Sequence, residues 1–362
     1  MKTLIKKITP RAKQTTPFPL LDLARFPAAL LVIAIHISPL AFINERADFI
    51  LTGIIGRVAV PFFIMVTGYF TLKPKRRRGN IFPASSVKKI LILYVIAIAL
   101  YLPVNIYAGQ IPLWTNTGDS PGPLWILSLI RWIFVDGTFY HLWYFPALIT
   151  GLILVSLLLK VCSQRCVLII TALLYIFGLM GDSYYGLAIQ MPALKIVYDG
   201  IFAICTYTRN GLFYVPLFLV LGRQLALKGP EFFKNGPLLL TAFLAMTGEG
   251  LILHHFDLQR HDSMYIFLPL VMYFVFCLLL DLNQRFKKTC CPCPSFKIFR
   301  RISMIIYIIH PLMIIAVRAA DKLINLQGRL INNGLLLYAL TAALSLTAAL
   351  ILTPVIQRFK RS

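Results

Sequence analysis

Acidic residues are scarce: 13 Asp and Glu stand against 36 Lys and Arg in 362 residues, and charged residues of both signs make up only 14%. Soluble domains carry about 25% charged and roughly 45–50% apolar residues. Here 59% of the chain is hydrophobic and the mean hydropathy is +0.78. That much apolar surface cannot be hidden in a water-soluble core of this size, so a soluble globular protein is excluded. The 26 Phe and 16 Tyr exclude a disordered chain as well. Repeats of 20–50 residues and low-complexity tracts are also missing. The basic leader runs into an apolar stretch longer than a signal-peptide core with no small-residue cleavage site after it, and is therefore not read as a cleavable signal.

Long hydrophobic runs, by contrast, fill the chain. A spanning helix needs about 20 predominantly apolar residues, and ten candidate runs occur at 20–42, 50–72, 90–107, 142–159, 166–180, 212–227, 238–254, 264–280, 302–317 and 334–356. The fifth and sixth are the shortest. Segments 124–139 and 186–205 are apolar but interrupted, and read as interfacial or re-entrant pieces. The expected fold is an all-α integral membrane protein of about ten transmembrane helices, with a basic cytoplasmic tail at 1–19, one membrane domain at 20–356 and a basic cytoplasmic tail at 357–362.

The net charge of +23 first suggests nucleic acid, but its distribution argues otherwise. With the N-terminus inside, 26 of the 36 Lys and Arg fall in inner segments and eight in outer ones, which the positive-inside rule predicts. The remaining two, Arg25 and Arg57, lie within apolar runs. The excess charge is topological, and no nucleic-acid partner is expected.

Ionisable residues inside spans are costly and become candidates for function. Arg25 and His36 lie eleven residues apart in the first run, about 20° past three full turns, so both project from one helix face about 16 Å apart along the axis. On spacing alone, a snorkelling arginine with a histidine satisfied by a neighbouring helix is the favoured reading of the pair. Arg57 opens a phrase containing Pro61 and Gly68, which reads as a kinked, closely packed helix. Glu249 sits mid-span, with His254 and His255 beyond it; its spacing from His254 lets each point at other helices. His141 and Trp143 start the fourth run among tyrosines of an aromatic belt. His310-Pro311 reads either as a proline kink beside a packed histidine or as a functional pair.

Several chemistries lack their signatures. No histidine has an acid five positions later, which removes the His-x4-Asp pair; Walker A, G-x-S-x-G and a complete dinucleotide loop are also missing. Cys290-Cys291-Pro292-Cys293 has no second pair at zinc spacing, so reduced thiols or palmitoylation are favoured and no metal is expected.

Arg25-x10-His36 within LDLARFPAALLVIAIH resembles the opening signature of acyltransferase family 3, and VPFFIMVTGY at 60–69 resembles its second landmark. YHLWYFPALITG at 140–151, GDSYYGL at 181–187, TRNGLFYVPLFL at 208–219 and HDSMYIFLP at 261–269 resemble the membrane half of the VanT-type serine racemases of vancomycin-resistant bacteria. The likeness covers about residues 20–356. It implies a multi-pass protein of the bacterial cell membrane that transfers acyl groups other than aminoacyl groups, usually acetyl from acetyl-CoA, to a hydroxyl of an extracytoplasmic acceptor. On that reading acyl-CoA is a substrate, not a resident cofactor. His36 would be the general base and Arg25 would orient the donor; Arg57, His141, Trp143, Arg209, Glu249 and His261 would line the acceptor side. Lys88 and Lys89, where the acyltransferases usually carry an arginine pair, would attract the CoA phosphates; lysine keeps the charge but not the bidentate geometry.

The VanT likeness implies the alternative of an L-serine permease serving D-serine synthesis for peptidoglycan. Its racemase domain would be separate or fused, and the 362 residues read either as the membrane part alone or as a relative without that domain. In this second role Arg25, Glu249 and His36 would bind the amino acid within the bilayer. A sensor that keeps the fold without turnover is a third possibility.

Overall fold

Apolar residues that repeat without charged interruption form helices here because, in lipid, backbone N–H and C=O groups must bond within their own segment. The computed structural model describes residues 18–73, 82–111, 125–229, 235–289, 296–325 and 328–359. All the regular structure among them is helical. The main helices are α1 (Pro19–Ile37), α2 (Glu45–Thr71), α3 (Ala84–Tyr107), α4 (Tyr144–Val161) and α5 (Gln164–Met180). They are followed by α6 (Val215–Lys228), α7 (Asn235–His255), α8 (Leu268–Thr289), α9 (Ile298–Leu323) and α10 (Gly334–Phe359). The cluster Cys290–Cys293 lies outside the described residues, as do most of the two basic tails.

Each of the ten apolar runs contains a helix, but among the described residues eight helices, not ten, are long and apolar enough to cross a membrane by themselves. At about 1.5 Å per residue, α5 with 17 residues and α6 with 14 fall short of a ~30 Å hydrocarbon layer. For α6 the reason is its position. Nine of its residues, from Val215 to Leu225, are buried on all sides, as expected of a helix at the centre of a bundle. It crosses α2 closely. A Cβ on Gly68 would strike the backbone of Leu219, and one on Gly222 would strike the backbone of Met65. These reciprocal glycines let the two helix backbones touch.

Two departures from regular helix position the site. The first apolar run reads as helix to residue 42, yet α1 ends at Ile37, because Ser38 adopts a left-handed conformation (φ 54°) ahead of Pro39. His36 is thus in the last turn. Within α2, the backbone takes a π turn over Phe49–Ile54 and a 3-10 turn over Ile55–Val58 before becoming regular from Ala59. The distortion expected from Pro61, whose missing N–H would have met the carbonyl of Arg57, therefore lies on the N-terminal side of the proline. It re-aims Arg57, and Gly53 gains a side-chain partner, its carbonyl accepting from the Tyr265 hydroxyl at 2.7 Å. π turns of this kind recur at functional sites.

The two interrupted apolar segments become short helices that are tied together. Asp136, closing the turn after Trp125–Arg131, pairs with Arg131 at 2.7 Å and accepts from the backbone N–H of Thr206 at 2.8 Å. Arg131 also donates to the carbonyl of Ala203 at the end of Pro192–Ile204.

A two-cavity site through the helix bundle

The C-terminal end of α1 and the N-terminal ends of α4 and α6 gather at one end of the bundle. There, His36, Arg57, His141, Trp143, Arg209, Tyr214, Ser263 and Tyr307 line one cavity. Five of these, His36, Arg57, His141, Trp143 and Arg209, were picked out from sequence. Toward the other end of the bundle, Arg25, Thr67, Tyr144, Arg300, Ser303 and Tyr307 line a second cavity. Val60 and Tyr307 border both. Arg25 and His36, three turns apart on one helix face, thus line two cavities that share Val60 and Tyr307 as a wall.

The Arg25 cavity holds a shared carboxylate. Asp22 is buried and lies 2.5 Å from Arg300 and 3.6 Å from Arg25. Two guanidiniums against one carboxylate leave a net positive end. Arg25 Nε has no hydrogen-bond partner among the described residues. Glu249, expected to line the acceptor side, is elsewhere. It accepts from the Tyr184 hydroxyl at 2.8 Å and from the backbone N–H groups of Ile266 (2.6 Å) and Phe267 (3.2 Å), so it ties α7 to the start of α8 and is not part of either cavity lining. His254 stacks on Phe49 with centroids 4.0 Å apart, also away from Glu249.

In the His36 cavity three histidines meet. His36 stacks on His310, and His141 meets His310 edge to face, both with centroids 5.3 Å apart. His310 is fully buried. Pro311 has no N–H to give the carbonyl of Tyr307, and His310 Nδ1 takes that role at 2.8 Å. A carbonyl only accepts, so the proton is on Nδ1 and His310 Nε2 is left as an acceptor; it has no partner among the described residues. His141 is likewise buried with neither ring nitrogen bonded. Burial, with His310 and His36 close by, holds its imidazole well below the ordinary range, so it is neutral. The Tyr307 hydroxyl donates to the His141 carbonyl at 2.5 Å and fixes that loop against α9.

Charges on the opposite wall are partly compensated. Arg57 pairs with Asp262 at 2.5 Å. Burial alone would raise the Asp262 carboxyl, but Arg57 and His261 hold it below the usual range, so it stays ionised. His261, lowered mainly by burial, contacts Ser263 Oγ through Nδ1 at 3.0 Å and packs its ring edge on Tyr207. Arg209 lies over the faces of Trp143 and Tyr207, 5.1 and 4.5 Å from their centroids. Behind them Asp182 accepts the backbone N–H groups of Ser263 and Met264 on one oxygen; burial pushes this carboxyl up to about 7 against the pull of Arg209. Lys88 and Lys89 are exposed in the first turns of α3 and line neither cavity.

Sequence reasoning missed Arg300, Asp262, Ser263 and Tyr307 as site residues. Arg300 sits in a basic run and Asp262 among other outer acids, where neither stands out. Tyr307 had a signal: it precedes His310 by three residues and so shares its helix face.

The acyltransferase family 3 model, described as an acyltransferase domain, matches residues 18–354. An amino-acid racemase of Enterococcus faecalis is 36% identical over 342 residues, covering 94% of this chain and 45% of that protein. A serine/alanine racemase of Enterococcus gallinarum is 36% identical over 323 residues, covering 86% of this chain and 43% of its own length. The chain therefore spans a little under half the length of these curated relatives. No solved structure matches.

Proposed function

Because the chain belongs to acyltransferase family 3, we propose that it is a membrane-embedded acyltransferase that takes an acyl group, acetyl in the simplest case, from acyl-CoA on the cytoplasmic side and passes it to a hydroxyl of an acceptor on the outer side. In this arrangement the chain passes the bilayer ten times with both termini cytoplasmic, α5 and α6 completing the eight longer helices. The observation that carries the reading is the meeting of a cationic cavity and a histidine cavity at Val60 and Tyr307.

Arg25 and Arg300, with one carboxylate between them, suit the phosphates or polar arm of the donor. Lys88 and Lys89 raise the local concentration of so anionic a substrate at the cytoplasmic face. The acyl thioester would reach past Val60 and Tyr307 to His36. His36 takes the proton of the acceptor hydroxyl as its oxygen bonds to the acyl carbon; the carbon–sulfur bond breaks, and CoA leaves as a thiol carrying that proton. General-base help of this kind contributes about 10²–10⁴-fold. His141 and Tyr307 line the cavity beside His36, and Trp143 with Arg209 would face the acceptor.

The racemase relatives favour a second reading, import of an amino acid such as L-serine for a racemase domain, separate or fused. Two cavities that share a wall, one toward each end of the bundle, also suit a carrier. The readings divide on His36: replacing it by Ala should abolish CoA release from acetyl-CoA in folded protein, whereas unchanged CoA release would remove His36 from the chemistry.

A further inference from the structure

A third cavity, about 500 Å³ in volume, lies between α5 and α8, apart from the two already described. α5 packs on α4 and α6, and α8 on α1, α2, α6 and α7, so the space between them reaches the central helix α6 from the side. α5 from Leu168 to Leu179 forms one wall, Ile266 and Leu270 the other, and Leu217 and Leu221 of α6 the floor. Apart from two tyrosines, every lining side chain among the described residues is hydrocarbon, and Tyr175 commits its hydroxyl to the Tyr265 carbonyl at 2.8 Å. The eleven residues from Leu168 to Leu179 cover about 16 Å of helix, close to the ~15 Å depth of one hydrocarbon leaflet. The cavity opens sideways: Ile176, Ile266 and Leu270 line it and are also exposed, continuing the lipid-facing surface of α5 at Leu173. Water and polar ligands gain no partner in such a space, and leaving it empty forfeits contacts along its whole lining.

We propose that this cavity binds one acyl chain of a bilayer lipid, taken from the leaflet on the His36 side, and that the bound chain braces the segment 261–267 between α7 and α8. That segment has two faces. Asp262 pairs with Arg57 and Ser263 lines the His36 cavity, whereas Ile266, three residues on, lines the apolar cavity. Tyr265 lies between them. The Tyr175 hydroxyl clasps its backbone, donating to the carbonyl and accepting the N–H at 3.3 Å, while its own hydroxyl donates to Gly53 in the π turn that leads to Arg57. A chain lying against Tyr175 and Ile266 therefore presses on both supports of this segment. The lining offers nothing to a head group, so recognition is by chain alone. The site stands apart from both readings of the function.

The test exposes the full chain in detergent micelles to phosphatidylglycerol carrying a photoreactive diazirine midway along one acyl chain, and maps the cross-links by mass spectrometry. Label is expected to saturate in peptides holding Leu168–Leu179 and Ile266–Phe274. Unlabelled phosphatidylglycerol and phosphatidylcholine with the same chains should compete equally, and glycerophosphoglycerol, a head group without chains, should not compete. Ala172→Trp, which fills the cavity, should lower the saturable label at least about tenfold, whereas Leu173→Trp, on the lipid-facing side of α5, should leave it unchanged. Backbone hydrogen exchange at 262–267 should slow several-fold when phospholipid saturates the unaltered chain. Label that never saturates and spreads evenly over the lipid-facing helices would mean a lipid annulus only and overturn the proposal. Competition by the head group alone, undiminished label in Ala172→Trp, or exchange at 262–267 indifferent to lipid would each overturn it too. Saturation, competition and exchange use only the unaltered chain, so they decide the matter even where a variant misfolds.

Discussion

The rings of His36 and His310 stack with centroids 5.3 Å apart and planes 22° from parallel, and His310 is itself pinned by the Tyr307 carbonyl that Pro311 leaves without a donor. Pro311 within α9 thereby orients the neighbour of the proposed base in α1. His310→Phe keeps an aromatic face against His36 but removes both ring nitrogens. We expect kcat for acyl transfer to fall by about tenfold or more, within the range of general-base effects, with KM for acyl-CoA unchanged. Steady-state kinetics in detergent decide it; an unchanged kcat would make His310 a packing residue only.

Arg25 and Arg209 should fail in different ways. Arg25→Ala leaves Arg300 with Asp22 to itself and should raise KM for acyl-CoA several-fold while KM for the acceptor is kept. Charge reversal at the exposed Lys88 and Lys89 should act on donor capture in a salt-dependent manner, the difference disappearing at high ionic strength. An equal rise in KM for donor and acceptor in Arg25→Ala would contradict the two-cavity arrangement.

Asp182 gives a pH signature. Its carboxyl is raised by burial to about 7 in the folded chain, above the ordinary carboxylate range near 4. The folded state thus holds a proton that the unfolded state has lost, so stability declines as pH rises from about 4 to 7. Asp182→Asn keeps an oxygen for the Ser263 and Met264 amides and has no such titration. Melting temperatures from pH 4 to 8 should show the variant gaining on the native chain as pH rises. Parallel curves would refute the raised carboxyl.

The α2–α6 crossing depends on the absence of side chains. Gly222→Ala would push a Cβ into the Met65 backbone, whereas Gly200→Ala meets nothing within 4 Å. Overpacking of this kind costs about 1–3 kcal/mol. Thermal unfolding should show a clear loss for Gly222→Ala and little change for Gly200→Ala; equal melting temperatures would remove the close crossing.

Much of this was legible in the residues, for physical reasons that differ by feature. Bilayer thickness imposes a run length and cytoplasmic charge imposes a sign, so the apolar runs could be counted and Arg25 and Arg57 isolated as charges that topology leaves over. His36 and His141 stood out because polar side chains in or beside apolar runs are costly, whereas Arg209 entered only with the family resemblance. What could not be read were the partners. Asp262 meets Arg57 across 205 positions, and Arg300 meets Asp22 across 278; such pairings depend on the packing of α2 and α9, to which one-dimensional periodicity is blind. The π turn at Phe49–Ile54 has no simple sequence signal. Glu249 was read as a ligand-facing charge because its donors, the Tyr184 hydroxyl and the backbone N–H groups of Ile266 and Phe267, come from segments that only the fold brings to it.

The central claim is that the two cavities carry an acyl group to an acceptor on the far side. The direct measurement uses sealed vesicles holding the full chain, with acetyl-labelled acetyl-CoA supplied on the cytoplasmic face and L-serine, a hydroxyl acceptor and the cargo of the alternative reading, on the other. The account predicts free CoA on the first side, labelled O-acyl product on the second, and neither with His36→Ala. Accumulation of unmodified serine on the acetyl-CoA side with the thioester intact would contradict it and make the chain a carrier.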